Sequence, residues 1–392
     1  MNLEPGLLRL QGELADGTWR PGPYHSFYVH EHKRRLITAA PFRDRVVHHA
    51  LLAVLEPVFE PGFIHDSYAC RVGKGQHRAI DRFQHWARGN KYVLRGDVRK
   101  FYPSVDHQVL CGLLRRRIRD RRVLALCEAI LQSGAGILDS EYELAWFHGD
   151  ELFTPLRRAR GLPIGNLTSQ FFGNIYLNEL DHFVKERLRC RCYLRYMDDF
   201  AVFGENRHAL VAVKRQIERF LESLRLTLHR HRTRAWRSSD GPEFLGLRVF
   251  PGHRLVRRTT SYRYSRRLNE LVLLSRAGRS PLEDVRDSFM AWLGHTRRAD
   301  AYRLNRRILA RSDILAPSAS WPQRPALHPV AGAGLGHQPA RKTGLPDGNA
   351  QTATRRLTQR LSKPRVMREP RPVLLRDAEF FHSEMEGPRR VG

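Results

Sequence analysis

An acidic pair, Asp198-Asp199, stands in the middle of the otherwise largely apolar stretch RCYLRYMDDFAVFG at 191–204. Apolar and polar residues alternate on both sides of the pair, which predicts two short antiparallel strands joined by a tight turn. Neighbouring carboxylates repel each other, and packing them between apolar strands is costly unless a cation is present. The stretch therefore predicts a hairpin that presents two carboxylates to a cation, with an ordinary polar turn as the alternative.

A third carboxylate, Asp97, ends the apolar run KYVLRGDV at 91–98, which predicts a buried strand. Hard divalent cations prefer oxygen ligands. Nucleotidyl transfer uses two such ions about 4 Å apart, one at the attacking 3′-hydroxyl and one at the leaving pyrophosphate. Carboxylates that reach one point from separate strands would hold these ions, so the sequence predicts that Asp97 meets Asp198 and Asp199.

The charge of the chain indicates a polyanionic partner. Its 68 Lys and Arg residues exceed its 40 Asp and Glu residues, which gives a formal net charge of +28. Like charges repel in a compact protein, and a nucleic acid partner would offset that cost. An Arg-rich genome with solvated surface arginines is the alternative explanation.

The rest of the periodicity predicts an α+β chain. Apolar residues recur at helical spacing in five stretches, 43–60, 76–90, 107–133, 166–188 and 207–224. Short strands are predicted at 36–42 and around 226–250, and helices at 262–311. The stretch after 316 is rich in Pro, Gly and Ala, which is typical of disorder.

Two motifs, in this order, resemble those of reverse transcriptases. Arg95-Gly96-Asp97-Val98-Arg99-Lys100-Phe101-Tyr102-Pro103-Ser104-Val105-Asp106 is similar to the first catalytic motif of that family, and Tyr196-Met197-Asp198-Asp199 is similar to its YxDD box. The resemblance implies that Asp97, Asp198 and Asp199 are catalytic. It also implies that Asp97, Val98, Asp198 and Asp199 hold two Mg²⁺ ions, for which Mn²⁺ could substitute.

Further segments resemble the family's nucleotide and primer sites. The resemblance implies that Arg71 and Lys74, in the RVGKG turn, bind the incoming triphosphate, and that Tyr102 blocks a 2′-hydroxyl. A basic surface turn and core packing are the respective alternatives. Four more residues are implied at the nucleotide, namely Ile164, Gly165, Gln170 and Met197. The resemblance also implies that Phe244, Leu245 and Gly246 grip the primer end. Arg232 follows the LTLH segment where many relatives have a Lys, and it receives no role.

The stretch GLPIGNLTSQ at 161–170 resembles the reverse transcriptases of diversity-generating retroelements. Most reverse transcriptases have Gln where Ile164 stands and Pro where Gln170 stands. An aliphatic side chain cannot hydrogen-bond near the incoming sugar, so a polar anchor for pair discrimination is lost. The resemblance implies an enzyme that is error-prone at template adenines and that has a small basic accessory protein as a partner. A core role for Ile164 is the alternative.

The resemblance implies a right-hand polymerase with fingers and palm, built from an antiparallel sheet plus helices, and then a helical thumb. The expected divisions are an N-terminal extension at 1–35, fingers and palm at 36–255, a thumb at 256–315 and a disordered basic tail at 316–392. The expected partners are an RNA template, the cDNA and dNTPs. No signal layout or apolar run of ~20 residues is present, so a cytoplasmic location away from membranes is expected.

Three other functions are open at this point. A retron or defence-associated reverse transcriptase would share the same motifs. A maturase-like RNA-binding protein would act without catalysis, although the three aspartates are all present. An RNA-dependent RNA polymerase is disfavoured, because the bulky Tyr102 should exclude ribonucleotides.

Overall fold

The computed structural model describes residues 3–30 and 34–312. These residues divide into two compact units. Of the described residues, those up to Arg267 and Arg286–Ala301 form the larger unit, and Leu268–Val285 with residues 302–312 form the smaller. The predicted disordered tail at 316–392 lies outside the described residues.

Helices and strands are interspersed along the chain up to residue 256, and helices follow. The helices are α1 Leu3–Ala15, α2 Phe42–Phe59, α3 Gln76–Gly89, α4 Phe101–Ser104, α5 His107–Arg115, α6 Arg121–Ser133, α7 Thr154–Arg157, α8 Leu167–His182, α9 Arg207–Ser223, α10 Arg258–Arg276, α11 Leu282–Thr296 and α12 Tyr302–Arg311. The strands are β1 His25–His30, β2 Arg34–Ala39, β3 Tyr92–Asp97, β4 Tyr193–Tyr196, β5 Asp199–Gly204, β6 Arg234–Arg237, β7 Glu243–Phe244, β8 Leu247–Val249 and β9 Arg254–Val256. The predicted architecture of antiparallel sheet plus helices, followed by a helical region, is confirmed.

A four-stranded antiparallel sheet in the order β4-β5-β3-β6 forms the centre of the larger unit. Successive side chains of a strand point to opposite faces, and both faces of this sheet are covered. Val93 belongs to a core cluster with Ile80 and Phe83 of α3, whereas its neighbour Leu94 belongs to a second cluster with Phe172 of α8. The hairpin predicted at 191–204 is confirmed as β4 and β5.

Two small sheets flank this centre. The strand predicted at 36–42 is observed as β2, which ends at Ala39. Strand β1 and the β1–β2 hairpin were not predicted, because the sequence before residue 36 showed no clear strand period. Its second strand is fixed by hydrogen bonds from Thr38 N to Ile164 O, 2.7 Å, and from Asn166 Nδ2 to Thr38 O, 3.0 Å. Strands β7, β8 and β9 form the other sheet. The β2 contacts place this hairpin beside the 161–166 turn.

A long connection between α6 and α8, residues 134–166, forms an excursion that returns to the segment around residues 102–107. On its return, Ala159 O accepts a hydrogen bond from His107 N at 3.0 Å, Gly161 N donates to Val105 O at 2.8 Å, and Leu162 N donates to Tyr102 O at 2.9 Å. A buried ion pair inside the excursion joins Arg158 to Asp150. The return end of the excursion is thus anchored by main-chain hydrogen bonds.

Helices α10, α11 and α12 follow the last strand, as predicted for 262–311. In the smaller unit, Leu268, Val272 and Val285 are buried, as are Ile308 and Leu309. None of the helices in the described part of the chain is long and apolar enough to cross a membrane.

Candidate active site

The three aspartates lie at the point where the end of β3 meets the turn of the β4–β5 hairpin. Asp97 and Asp199 are direct cross-strand partners in the β3–β5 register. Such partners have Cβ atoms about 5 Å apart. The Val98 amide donates a hydrogen bond to Asp198 O at 3.1 Å, which ties the turn to the strand end. The structure therefore brings together three carboxylates from two distant parts of the sequence.

Burial and the neighbouring carboxylates disfavour the ionised forms of Asp198 and Asp199. Burial, followed by the charges of Asp199 and Asp97, raises the pKa of Asp198 to about 7. Burial also raises the pKa of Asp199, although Arg95 counteracts this effect. A cation at this point would favour the ionised carboxylates that the protein alone disfavours.

Two arginines already partner these carboxylates. Arg95 Nη2 lies 3.2 Å from Asp199 Oδ1, and Arg232 Nη1 lies 2.9 Å from Asp97 Oδ2. Arg95 was part of the first motif without a role, and Arg232 had been left unassigned. Both are therefore site residues that the sequence did not identify, and both bring positive charge to the acidic cluster.

The residues at this point suit a divalent cation in their chemistry. Carboxylate oxygens are the ligands that Mg²⁺ prefers, and Asp97 and Asp199 lie close enough to Asp198 to add to the effect of burial on its pKa. Among the residues that the structure describes, no three acidic, His or Cys side chains form a ready-made metal-binding group. Val98 is buried and apolar, so only its main-chain carbonyl could serve as a ligand.

Tyr102 lies beside the acidic cluster. Burial, followed by the nearby Cys70 and Asp198, raises the pKa of its hydroxyl, and Arg35 counteracts this. Arg35 also lowers the pKa of Asp198. It stands on β2, outside the segments singled out in the sequence, and its sequence signal is a basic residue just before the strand predicted at 36–42. The structure thus adds an exposed arginine to the predicted nucleotide site.

Arg71 and Lys74 are engaged within their own loop. The Arg71 guanidinium donates to Glu60, with Nη2 2.7 Å from Oε1, and to the carbonyls of Ile64 and Ser67. Its side chain is only 6% exposed. Lys74 Nζ donates to His65 O at 2.7 Å. Their predicted contact with a triphosphate stays a prediction, since in this structure both side chains stabilise the loop.

The predicted nucleotide-site residues of the 161–170 stretch contact strand β2 and Cys70. Ile164 is half-buried, and its carbonyl accepts the Thr38 amide hydrogen bond. Gly165 has φ 119°, and a Cβ there would lie 3.1 Å from Ile37 Cγ2, so only glycine suits this position. Gln170 Oε1 accepts a hydrogen bond from the Cys70 thiol at 3.2 Å.

The predicted primer-grip residues form the turn between β7 and β8. Leu245 and Gly246 have φ values of 46° and 87°, as in the two-residue hairpin turns that match strand twist. Phe244 is fully buried and stacks on Phe83, with ring centroids 4.6 Å apart. Gln76 Nε2 donates to Leu245 O at 2.9 Å. The turn is thus fixed at its first residue and at the preceding Phe244, and its contact with a primer stays a prediction.

Comparison with known proteins places this site in a family. Residues 28–249 match the family described as reverse transcriptase (RNA-dependent DNA polymerase). The chain is 28% identical over 294 residues to protein YkfC of Escherichia coli (strain K12), which covers 64% of this chain and 72% of YkfC. It is also 28% identical over 185 residues to the group II intron-encoded protein LtrA of Lactococcus lactis subsp. cremoris, which covers 46% of this chain and 28% of LtrA.

Among solved structures, a telomerase from Candida albicans in complex with a TWJ fragment of telomeric RNA aligns with a TM-score of 0.45 and 13% identity. The alignment covers 75% of this chain and 54% of that one. The chain therefore spans only part of each of these proteins. All three aspartates fall within the matched residues 28–249.

Proposed function

Because the chain belongs to the reverse transcriptase (RNA-dependent DNA polymerase) family, we propose that it extends a DNA primer on an RNA template with dNTPs. The observation that carries this proposal is the cross-strand placement of Asp97 beside the turn with Asp198 and Asp199. The test is primer extension by the purified full chain on an RNA template with Mg²⁺. A complete lack of extension on RNA and DNA templates would contradict the proposal.

In this proposal Asp97, Asp198 and Asp199 hold two divalent ions, Mg²⁺ or Mn²⁺, with the Val98 carbonyl as a further ligand. When bound, such ions activate a 3′-hydroxyl and neutralise the leaving pyrophosphate. The fold brings the three carboxylates together, and Arg95 and Arg232 balance part of their negative charge. The proposal keeps residues 36–255 as fingers and palm and 256–315 as the thumb, and it keeps a cytoplasmic location.

Tyr102 is proposed to select deoxyribonucleotides. Its ring lies near Asp198, where a 2′-hydroxyl would compete for space. We expect Tyr102→Ala to raise the relative efficiency of rNTP incorporation by about tenfold to a hundredfold, since shape selection of one small group has that size. The measurement is single-nucleotide extension with matched dNTP and rNTP. Tyr102→Phe, which keeps the ring, is the control and should stay selective, and unchanged selectivity in Tyr102→Ala would remove this role.

Arg35 is proposed to bind the triphosphate, because it is exposed beside the acidic cluster whereas Arg71 and Lys74 are engaged elsewhere. We expect Arg35→Ala to raise the KM for dNTP about tenfold, since a charge-assisted hydrogen bond contributes about 1.5 kcal/mol or more. Steady-state extension over a range of dNTP concentrations measures this. Arg215→Ala, on the exposed side of α9, is the matched control. An unchanged KM in Arg35→Ala would refute the assignment.

At the finer level, we propose that the enzyme is of the diversity-generating retroelement type, with a small basic accessory protein. The support is Ile164 and Gln170 in place of the more common Gln and Pro. We expect Ile164→Gln to lower misincorporation opposite template adenines by about fivefold, because a restored polar contact improves discrimination. Sequencing of cDNA made on a defined RNA measures the error spectrum. Ile164→Leu should behave like the wild type, and an adenine error rate that is low in the wild type would contradict this type.

A second candidate is an intron-type reverse transcriptase with a maturase-like role. The observation in its favour is the similarity to the group II intron-encoded protein LtrA. If this role holds, the protein should accelerate splicing of an intron RNA from its own genomic neighbourhood. The effect should persist in Asp198→Asn, because RNA binding does not need the acidic cluster.

A further inference from the structure

Arg195 stands two residues before the Met197-Asp198-Asp199 turn, and its side chain is completely buried. A charged side chain is almost never fully buried unless it is paired. Its partner is Asp181 of α8, which is also completely buried. Arg195 Nε donates to Asp181 Oδ1 at 2.8 Å and Nη2 donates to Asp181 Oδ2 at 2.7 Å, so the pair is bidentate. Tyr193 OH donates to the same Oδ1 at 2.7 Å.

The guanidinium has three further acceptors, and each lies on a different segment. Nη1 donates to Asn174 Oδ1 of α8 at 3.1 Å and to the carbonyl oxygen of Met197 at 3.2 Å. Nη2 donates to Ser67 Oγ at 3.2 Å. One buried side chain thus joins α8 and the 66–68 segment to the turn that carries two of the three carboxylates.

The main chain of Arg195 strengthens this connection. Its amide donates to Asp66 O at 3.0 Å, and its carbonyl accepts from Tyr68 N at 3.0 Å. The residue is therefore held by its main chain as well as by Asp181, and the guanidinium has little freedom to move. A group held in this way can fix the position of whatever it hydrogen-bonds.

The turn itself requires such support. Met197 has φ 51°, a left-handed conformation that residues other than glycine rarely adopt. Its conformation sets the direction of Asp198, the next residue. A donor aimed at the Met197 carbonyl from the protein interior selects this conformation over the alternatives.

Stability alone does not account for this network. Replacing a buried ion pair by apolar side chains of similar volume is often neutral or stabilising. We propose that Arg195 is a positioning residue, whose guanidinium, anchored on Asp181, holds the Met197 carbonyl and thereby the orientation of the Asp198-Asp199 carboxylates. This inference rests on the proposed polymerase function.

The test compares four variants of the full chain, namely R195K, R195M, R195M/D181N and the matched control R158M/D150N. The control removes another buried ion pair, that of Arg158 with Asp150. In the described part of the chain, the other polar partners of these two side chains are Asp106, Ala145 and Phe147, none of which belongs to the 197–199 turn. For each variant we measure the melting temperature, the dissociation constant for a primer–template duplex, and kcat and KM for a single dNTP. All rates refer to the folded fraction.

We expect R195M/D181N to lower kcat about a hundredfold, as a displacement of about 1 Å at a reacting centre does. Its primer–template affinity and its KM for dNTP should stay within about twofold of wild type, and its melting temperature should exceed that of R195M. R195K keeps the charge beside Asp181, but its single nitrogen cannot hold Asp181 in place of Nε and Nη2 and also make the Nη1 contact with the Met197 carbonyl, so it should fold and lose kcat. The control R158M/D150N should keep its kcat even if it melts at a lower temperature.

Recovery of both melting temperature and kcat in R195M/D181N would show that the pair is only structural and would overturn the inference. If the Met variants do not fold, R195K decides, since a folded R195K with the kcat of wild type has the same meaning. An equal loss of kcat in the control would also overturn it. Failure of the proposed function is a different result, because the wild type itself would then extend no primer.

Discussion

Asp198→Asn is expected to reduce kcat for primer extension by about 10³-fold or more, since removal of one preorganised electrostatic group at a reacting centre has an effect of that order. The amide has the same volume as the carboxylate, so the turn and its hydrogen bond from Val98 should persist. What is lost is the negative charge that would bind a divalent ion. Single-turnover extension with saturating Mg²⁺ and dNTP measures the loss.

The same variant should keep its stability. Burial and the neighbouring carboxylates raise the pKa of Asp198 to about 7, so the folded state disfavours its ionised form. Removing that charge relieves repulsion, and in metal-free buffer at pH 7 the melting temperature should equal or exceed that of wild type. Asp240→Asn, at an exposed position away from the cluster, should keep full activity. Appreciable primer extension by Asp198→Asn would contradict the assignment of the three aspartates as the metal-binding catalytic site.

Gly96→Ala is expected to destabilise the larger unit by about 3 kcal/mol, at the upper end of the cost of overpacking a core. A Cβ at this position would lie 2.0–2.5 Å from three ring atoms of Phe200. Phe200 is completely buried and is the cross-strand partner of Gly96, so its ring has no space into which to move. The position lies one residue before Asp97, in the strand with sheet partners on both sides.

Urea unfolding followed by circular dichroism measures this effect as a lower midpoint. Gly112→Ala in α5 is the control, because a Cβ there would meet nothing within 4 Å. That substitution should be neutral or slightly stabilising, since alanine favours the helix. The double variant Gly96→Ala with Phe200→Leu should recover part of the loss. A midpoint in Gly96→Ala equal to that of wild type would mean that the strands can separate at this point without cost.

The hairpin of β4 and β5 was predictable because its information is local. The alternation within 191–204 predicts the strands, and the acidic pair falls where they join, with Asp198 in the turn and Asp199 as the first residue of β5. The strand that ends at Asp97 was predictable for the same reason. The prediction that Asp97 lies beside Asp198 and Asp199 came from chemistry, because carboxylates from separate segments are expected to lie close together only where they bind a cation.

The contacts of the basic residues were not predictable. The RVGKG turn suggests exposed charge, yet Glu60, eleven positions earlier, takes the Arg71 guanidinium. Conversely, Arg35 reaches the site only because β2 pairs with β1 and is hydrogen-bonded to Ile164 and Asn166. The sequence shows that an arginine has donors that need acceptors. Which acceptors it contacts depends on how distant segments of the chain pack.

The excursion between α6 and α8 has a consequence for how this enzyme could be altered. Main-chain hydrogen bonds at Val105 and Tyr102 anchor its return end, and Glu143 and Glu141 within it pair with Arg99 and Lys100, close to Asp97. Changes of length are therefore separated from the aspartates when they lie beyond Glu143, near its outer end. Gly149, exposed and at φ 85°, marks such an outer position. A peptide tag inserted there should leave the geometry of the three aspartates unchanged. The enzyme could then be immobilised through the tag.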